Sequence, residues 1–436
     1  MVSFAFYVAY SVGALIYFFI SKVLKQDLLN KIGFKNGISI GLIISAIGTL
    51  LFIPAASAES FPLFISGYFT IGLGFSLQQT AANPMAINMG SVSTGSQRLS
   101  MAGGVNNFGT TIGPLLIKLA IFGSVSTVMV ASLNVVKVPY LILGAAFLLV
   151  AIIIYFSSIP NKLISNTEEL AEAKSSWVDR GSPFNYPQLW LGMIAIFVYV
   201  GVEVSTGANL PEYMKQKLGT TAGETAPYIS LFWASLMIGR WTSSAEAFGF
   251  SASTRKILQF VMPYLAFGVF LFVNAITNHD VQHFLVYGLV IIVLIIANLL
   301  SMGNPARQLI IFSGFGIIAL LVGIFSNNPH VSVFAFCSVG LFCSTLWPCI
   351  FTLSISGLGK HTSEGSNFLI FMIMGGGFIS VLQGYLAADH LLGIAYSYIV
   401  GIGCFLFLAY YGYKARVALK KQGIDLDAIS KSNTAH

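Results

Sequence analysis

The stretch LWLGMIAIFVYVGVEVSTGANLPE, residues 189–212, holds an apolar run long enough to cross a bilayer. A hydrocarbon core about 30 Å thick takes about 20 residues of helix. One acid, Glu203, lies inside the run, and a second, Glu212, closes it. A polar stretch precedes it, 157–187, carrying Glu168, Glu169, Glu172, Lys174, Asp179 and Arg180. Further out on both sides the pattern returns to apolar. Of the 436 residues 56% are hydrophobic and 8% charged, and the mean hydropathy is +0.82. A soluble domain of this size needs far more charge to cover its surface.

Apolar runs recur along the whole chain. Five come first, at 2–20, 37–56, 62–88, 99–122 and 138–156. Eight follow the polar stretch, at 189–212, 226–248, 256–277, 281–300, 307–325, 331–356, 365–388 and 394–413. The expected fold is all-α, a polytopic membrane protein with 13 transmembrane helices. Charge orients them. If the loop after the first run is cytoplasmic, all the lysines and arginines but Lys118, Lys137, Lys215 and Lys217 fall on the inner side, as the positive-inside rule requires. The net charge of +7 is therefore a membrane signature and not a nucleic-acid footprint. With that loop inside, Met1 lies outside, and the sequence reads as short by its first helix. Domains follow: an N-terminal lobe at 1–156, a cytoplasmic linker at 157–187, a C-terminal lobe at 188–413 and a cytoplasmic tail at 414–436.

Two distant stretches share a layout. Asn83-Pro84 sits in one run, which ends at Gly90 before a polar loop and a helix with Gly103, Gly104, Gly109 and Gly113. Trp347-Pro348 sits in another, which ends at Gly357 before a polar loop and a helix with Gly375, Gly376 and Gly377. Parallel repeats around a central loop are a build of two-lobed secondary transporters.

Polar groups inside the runs mark the candidate site. Glu203 lies about 21 Å along its helix from Leu189, past the bilayer midplane. A carboxylate there costs about 2.5 kcal/mol or more, so it must be neutral, paired or wet. Substrate binding or cation coupling is one role, a static hydrogen bond between helices the other. Gln79 and Asn83 share a helix face, with Gln78 turned about 100° away. Amides offer both donor and acceptor to a hydroxyl-rich solute, though they also glue membrane helices together. Asn106 shares its face with Gly109 and Gly113; Asn107 is its neighbour. Trp347, before a proline, can be tipped toward a cavity. Arg240 sits near a helix end with Glu246 six residues on, and reads as a gating charge. The four cysteines, Cys337, Cys343, Cys349 and Cys404, read as buried inert thiols. None of the six histidines is expected to bind metal or catalyse.

The chain resembles the fucose–galactose–hexose symporter family of the major facilitator superfamily. The matching stretches are GLGFSLQQTAANP (72–84), RLSMAGGVNNFGTTIGP (98–114), YVGVEVSTG (199–207), IGRW (238–241) and LWPCIFTLSISGLGKHTSEGS (346–366), with a glycine-rich stretch from Gly375 to Asp389. LNKIGFKNG (29–37) looks like a decayed form of the superfamily's basic loop between helices 2 and 3. The resemblance implies a two-lobed bundle, places the first run as helix 2, and makes 256–300 an inserted hairpin, read as peripheral and lipid-facing. It implies a sugar contact at Asn106. Three departures stand out. Helix 1, with a proton-binding aspartate, is absent; Gln79 replaces a coupling glutamate, as in many hexose members; Gly103 replaces a sugar-contacting glutamine.

The resulting expectation is a plasma-membrane symporter of the bacterial inner membrane. It works by alternating access on a hexose or deoxyhexose with a proton or sodium ion. It is a monomer without cofactor, metal or nucleic-acid partner, and not an enzyme. Glu203 couples, Arg240 gates, and Gln79, Asn83, Asn106, Asn107, Trp347 and Glu203 bind sugar. Two rivals use the same sequence: an uncoupled facilitator or channel, and a transport-inactive truncated product.

Overall fold

The computed structural model describes residues 2–122, 137–162, 179–248 and 250–428, and among them every regular element is helical. Met1, Glu168, Glu169, Glu172, Lys174, Lys431 and His436 lie outside the described residues. In chain order the first helices are α1 (Val2–Leu24), α2 (Leu28–Ile32), α3 (Phe34–Leu50), α4 (Phe52–Ser57), α5 (Phe61–Asn88), α6 (Gly95–Phe122) and α7 (Lys137–Phe156). Next come α8 (Pro187–Leu218), α9 (Ala222–Ser244), α10 (Ala252–Ile276), α11 (Tyr287–Ser301), α12 (Pro305–Phe325) and α13 (Pro329–Cys343). The last are α14 (Leu346–Ile355), α15 (Thr362–Phe371), α16 (Gly375–Leu386), α17 (Gly393–Tyr396) and α18 (Ile399–Lys420).

Local chemistry sets several of these starts. Thr221 and Glu224 close a capping box on α9, satisfying two otherwise orphaned amides. The Asn304 side chain accepts from Ala306 N and Arg307 N at the head of α12, where Pro305 has no N–H to lose. Asn328 and Pro329 repeat the device on α13. Each of the thirteen apolar runs is helical. Among the described residues ten stretches are long and apolar enough to cross a membrane, and the first run gives a shorter apolar helix, Tyr7–Val23. Several of the long stretches are broken: Leu51 separates α3 from α4, Ser344 and Thr345 separate α13 from α14, Met372–Met374 separates α15 from α16, and Ser397 and Tyr398 separate α17 from α18.

The helices gather into two compact units. The first comprises Met1–Met89, Pro114–Tyr186 and Leu358–Met374. Here α3 and α5 meet backbone to backbone. A Cβ on Gly48 would lie 2.7 Å from Gly67 O, and one on Gly74 would lie 2.5 Å from Gly41 O. Only glycine permits that approach. α1 packs on α5 with Tyr17 Oη donating to Leu73 O at 2.8 Å, and α15 packs on α1 with Asn367 Nδ2 donating to Ala14 O at 2.8 Å. At its polar edge Asp179 takes Lys360 Nζ at 2.5 Å and His361 Nε2 at 3.1 Å. The hydrogen bond from Lys360, helped by the Gly181 amide, pulls the Asp179 carboxyl down to about 2.

The second unit comprises Gly90–Gly113, Pro187–Gly357 and Gly375–His436. α8 lies among α13, α14, α16 and α18; Tyr411 of α18 donates to Gln188 O at 3.1 Å. The hairpin of α10 and α11 packs on α9, where Ser235 and Tyr287 share a hydrogen bond of 2.8 Å. Its other side carries exposed Ile257, Phe260, Leu265, Phe272 and Leu289. Asp427, beyond α18, gathers Arg416, Arg307 (3.2 Å) and Asn304 (3.1 Å). All four cysteines are free and buried.

Candidate functional site

In the second unit Glu203 sits on α8 one turn after Tyr199, which donates its hydroxyl to Glu203 Oε2. A helix places residues four apart on one face, so this pair follows from sequence once both are seen to be buried. Tyr199 is 1% exposed, and its ring centroid lies 6.1 Å from that of Trp347. Trp347 in turn lies 5.9 Å from Phe351. Acid, phenol and indole therefore form one chain of contacts.

Arg240 of α9 makes three hydrogen bonds. Its Nε donates to Ser344 O at 2.9 Å, and its Nη1 to Asn107 Oδ1 at 2.8 Å and to Gly103 O at 3.3 Å. The first bond has a covalent cause. Proline has no N–H, so Pro348 leaves the carbonyl four residues earlier, that of Ser344, without its helical donor. Arg240 fills that role, and the broken end of α13 is satisfied inside an apolar bundle. Gly103 makes the arrangement possible: a Cβ there would lie 2.6 Å from Arg240 Nη1. One residue on, Trp241 Nε1 donates to Gly104 O at 3.2 Å.

Asn107 is 5% exposed and its oxygen is committed to Arg240. Asn106 is exposed, on the face it shares with Gly109 and Gly113, where a Cβ would meet nothing within 4 Å. Glu246 does not pair with Arg240: its carboxylate is held by Gln97 and Gln259.

In the first unit Gln79 Nε2 donates to Tyr10 Oη at 3.1 Å. Asn83 is 8% exposed, one turn on along the same face. Gln78, on the turned face, donates to Ser45 Oγ at 2.8 Å in the α3–α5 packing. Pro84 orphans a carbonyl as Pro348 does; Thr80 O accepts from Ser366 Oγ at 3.0 Å. A cavity of about 410 Å³ in this unit is lined by Tyr17, Lys22, Lys25, Asp27, Glu364 and Asn367 among others, and holds none of the expected sugar ligands.

The structure thus joins Glu203, Trp347, Arg240 and Asn107 in one unit and places Gln79 and Asn83 in the other. Sequence reasoning missed Tyr199, which its spacing from Glu203 could have revealed. It also missed Tyr10, for which a separation of 69 positions left no signal. No group of three or more metal-ligating side chains occurs among the described residues.

Comparison with known proteins gives this geometry its setting. The model of the Major Facilitator Superfamily matches residues 1–306. The glucose/galactose transporter of Brucella abortus is 31% identical over 415 residues, 94% of this chain and 84% of the relative. The L-fucose-proton symporter of Escherichia coli is 26% identical, over 85% of this chain and 76% of the relative. The crystal structure of the E. coli fucose:proton symporter FucP superposes with a TM-score of 0.68, covering 95% of this chain and 90% of that one at 23% identity, a likeness of fold. The chain is a multi-pass protein of the bacterial plasma membrane, and it belongs to the Major Facilitator Superfamily, within its fucose–galactose–hexose symporter family.

Proposed function

We propose that the chain imports a hexose or deoxyhexose by cation symport, through alternating access, as a monomer whose apolar runs make thirteen crossings. The observation that carries this reading is Glu203. Among the described residues it is the one carboxylate deep inside an apolar helix, and its Oε2 takes a hydrogen bond from Tyr199. A half-buried acid held by a hydroxyl donor can change its occupancy by a proton or sodium ion during a cycle. Trp347, stacked toward Tyr199, offers an aromatic face to the C–H groups of a sugar ring. Gln79, Asn83 and Asn106 supply amides for hydroxyls, and the free Nδ2 of Asn107 adds a donor beside Arg240. Arg240 gates, because its bonds tie α9 to α6 and to the end of α13. The sugar class comes from the relatives, whose names specify glucose, galactose and fucose.

Membrane vesicles test the reading directly. Uptake of radiolabelled glucose, galactose and fucose is measured with an imposed proton or sodium gradient, for the wild type and Glu203→Gln. We expect one sugar to accumulate with one gradient, and the variant to lose accumulation while retaining counterflow exchange. Equal uptake with and without every gradient, unchanged in the variant, would replace symport by facilitation.

A further inference from the structure

Near its start the hairpin at 256–300 buries an amide side chain that reaches beyond the hairpin. Gln259 of α10 is 7% exposed, and its Nε2 donates to Glu246 Oε1 at 2.7 Å. The other oxygen of that carboxylate, Oε2, takes Gln97 Nε2 at 3.0 Å. Gln97, near the head of α6 and 2% exposed, also donates to Gly303 O at 3.1 Å and accepts from Ser96 Oγ at 3.0 Å. Gly303 lies in the turn between α11 and α12 with φ +65. A Cβ on it would stand 2.7 Å from Glu246 Oε2. One carboxylate is therefore bracketed by two amides and a glycine turn, and two of those three come from the hairpin or its exit.

The position of this bracket gives it a purpose. Along α6 and α9 the paired residues run in opposite directions, Gln97 with Glu246 and then Asn107 with Arg240. Separating the head of α6 from α9 must break both contacts. The second is anchored by a guanidinium deep in the bundle. The first lies at the end that the basic residues place in the cytoplasm, where water can take over every bond it loses. Amide donors suit a contact that opens and recloses. When it opens, only the carboxylate carries charge, and at the membrane surface that charge is hydrated and not stranded.

We propose that the inserted hairpin is a brace on the cytoplasmic gate: Gln259 and the Gly303 carbonyl fix Glu246 and Gln97, and so set how readily the head of α6 leaves α9. Its sequence contribution is Gln259, and its structural contribution is the exit turn.

The test needs no sugar and no gradient, so its outcome is independent of the symport reading. Ser100 of α6 is 1% exposed, and the native cysteines are buried. Ser100→Cys in the full chain, in inverted vesicles, is titrated with a membrane-impermeant maleimide. Gln259→Leu is expected to raise its labelling rate about fivefold, the loss of one hydrogen bond to a charged group tempered by rehydration. Gln259→Glu, which sets two carboxylates against each other, is expected to raise it further. The double exchange Gln259→Glu with Glu246→Gln rebuilds an amide–carboxylate pair and is expected to return labelling to the starting rate. Thermal unfolding of each variant identifies any that fails to fold, and the double exchange then decides. Labelling unchanged in Gln259→Glu, or raised in Gln259→Glu and not restored by the exchange, overturns the proposal.

Discussion

Two prolines in corresponding places of the repeat, Pro84 in the first unit and Pro348 in the second, create the same defect and receive opposite repairs. Each leaves a carbonyl four residues back without its helical donor. Thr80 O is answered by the neutral hydroxyl of Ser366 at 3.0 Å. Ser344 O is answered by the guanidinium of Arg240 at 2.9 Å. A hydrogen bond from a charged donor is roughly twice as strong as a neutral one, but it brings a charge into hydrocarbon, which is tolerated only with partners. The second unit supplies them in Asn107 and Gly103 O. The first unit uses only neutral groups at the matching place, with Gln79 on Tyr10. One half of the repeat is thus packed as an insulator, and the other as a charged device.

The contrast is broken most severely at Arg240. Arg240→Ala removes the guanidinium that Ser344 O, Gly103 O and Asn107 Oδ1 share. We expect a loss of about 3–5 kcal/mol in stability and a fall in sugar uptake of about a hundredfold, read by thermal unfolding and vesicle uptake. Arg240→Lys should recover only part of this, because a point charge cannot reach Ser344 O and Asn107 Oδ1 through separate nitrogens. Next in size is Gly103→Ala. The new methyl meets the guanidinium, and overpacking of this kind costs about 1–3 kcal/mol; uptake should fall with stability. Ser366→Ala sharpens the comparison from the neutral side. It removes one hydrogen bond, about 1 kcal/mol, and should leave the ion dependence of uptake untouched. If Ser366→Ala proved as damaging as Arg240→Ala, the asymmetry drawn here would be wrong.

The smallest effect concerns pH. The Asp179 carboxyl is held down at about 2 against an ordinary 3.8, chiefly by Lys360. A depressed carboxylate contributes above its unfolded value and loses that contribution as pH falls through the folded one. Its contact with Lys360 is therefore constant above about pH 4. Asp179→Asn should leave the shape of the uptake profile between pH 5 and 8 unchanged.

Much of the fold was legible because a bilayer imposes a length on every apolar run, and turn chemistry such as Asn304-Pro305 and Asn328-Pro329 marks where helices begin. The breaks were less so. The run at 331–356 reads as continuous, and only Pro348 hints that Ser344 and Thr345 interrupt it. Of the site, Glu203 and Arg240 stood out as the polar exceptions in apolar surroundings. Their relationships did not. Arg240's service to an orphaned carbonyl depends on where another helix breaks. The nearby Glu246, six residues on, turned out to answer to Gln97 and Gln259. Sequence distance predicts contacts along one helix and is silent about contacts between helices, which is why Tyr199 was recoverable and Tyr10 was not.

The glycine contacts between α3 and α5 have a practical corollary. Helices that meet backbone to backbone through Gly48 on Gly67 and Gly41 on Gly74, with Gln78 bonded to Ser45 beside them, have little cushion of rotamers to absorb sliding. A pair of spin labels spanning them should keep one separation whether or not sugar is bound. That separation would serve as an internal ruler against which the movement of any other helix in the first unit could be calibrated.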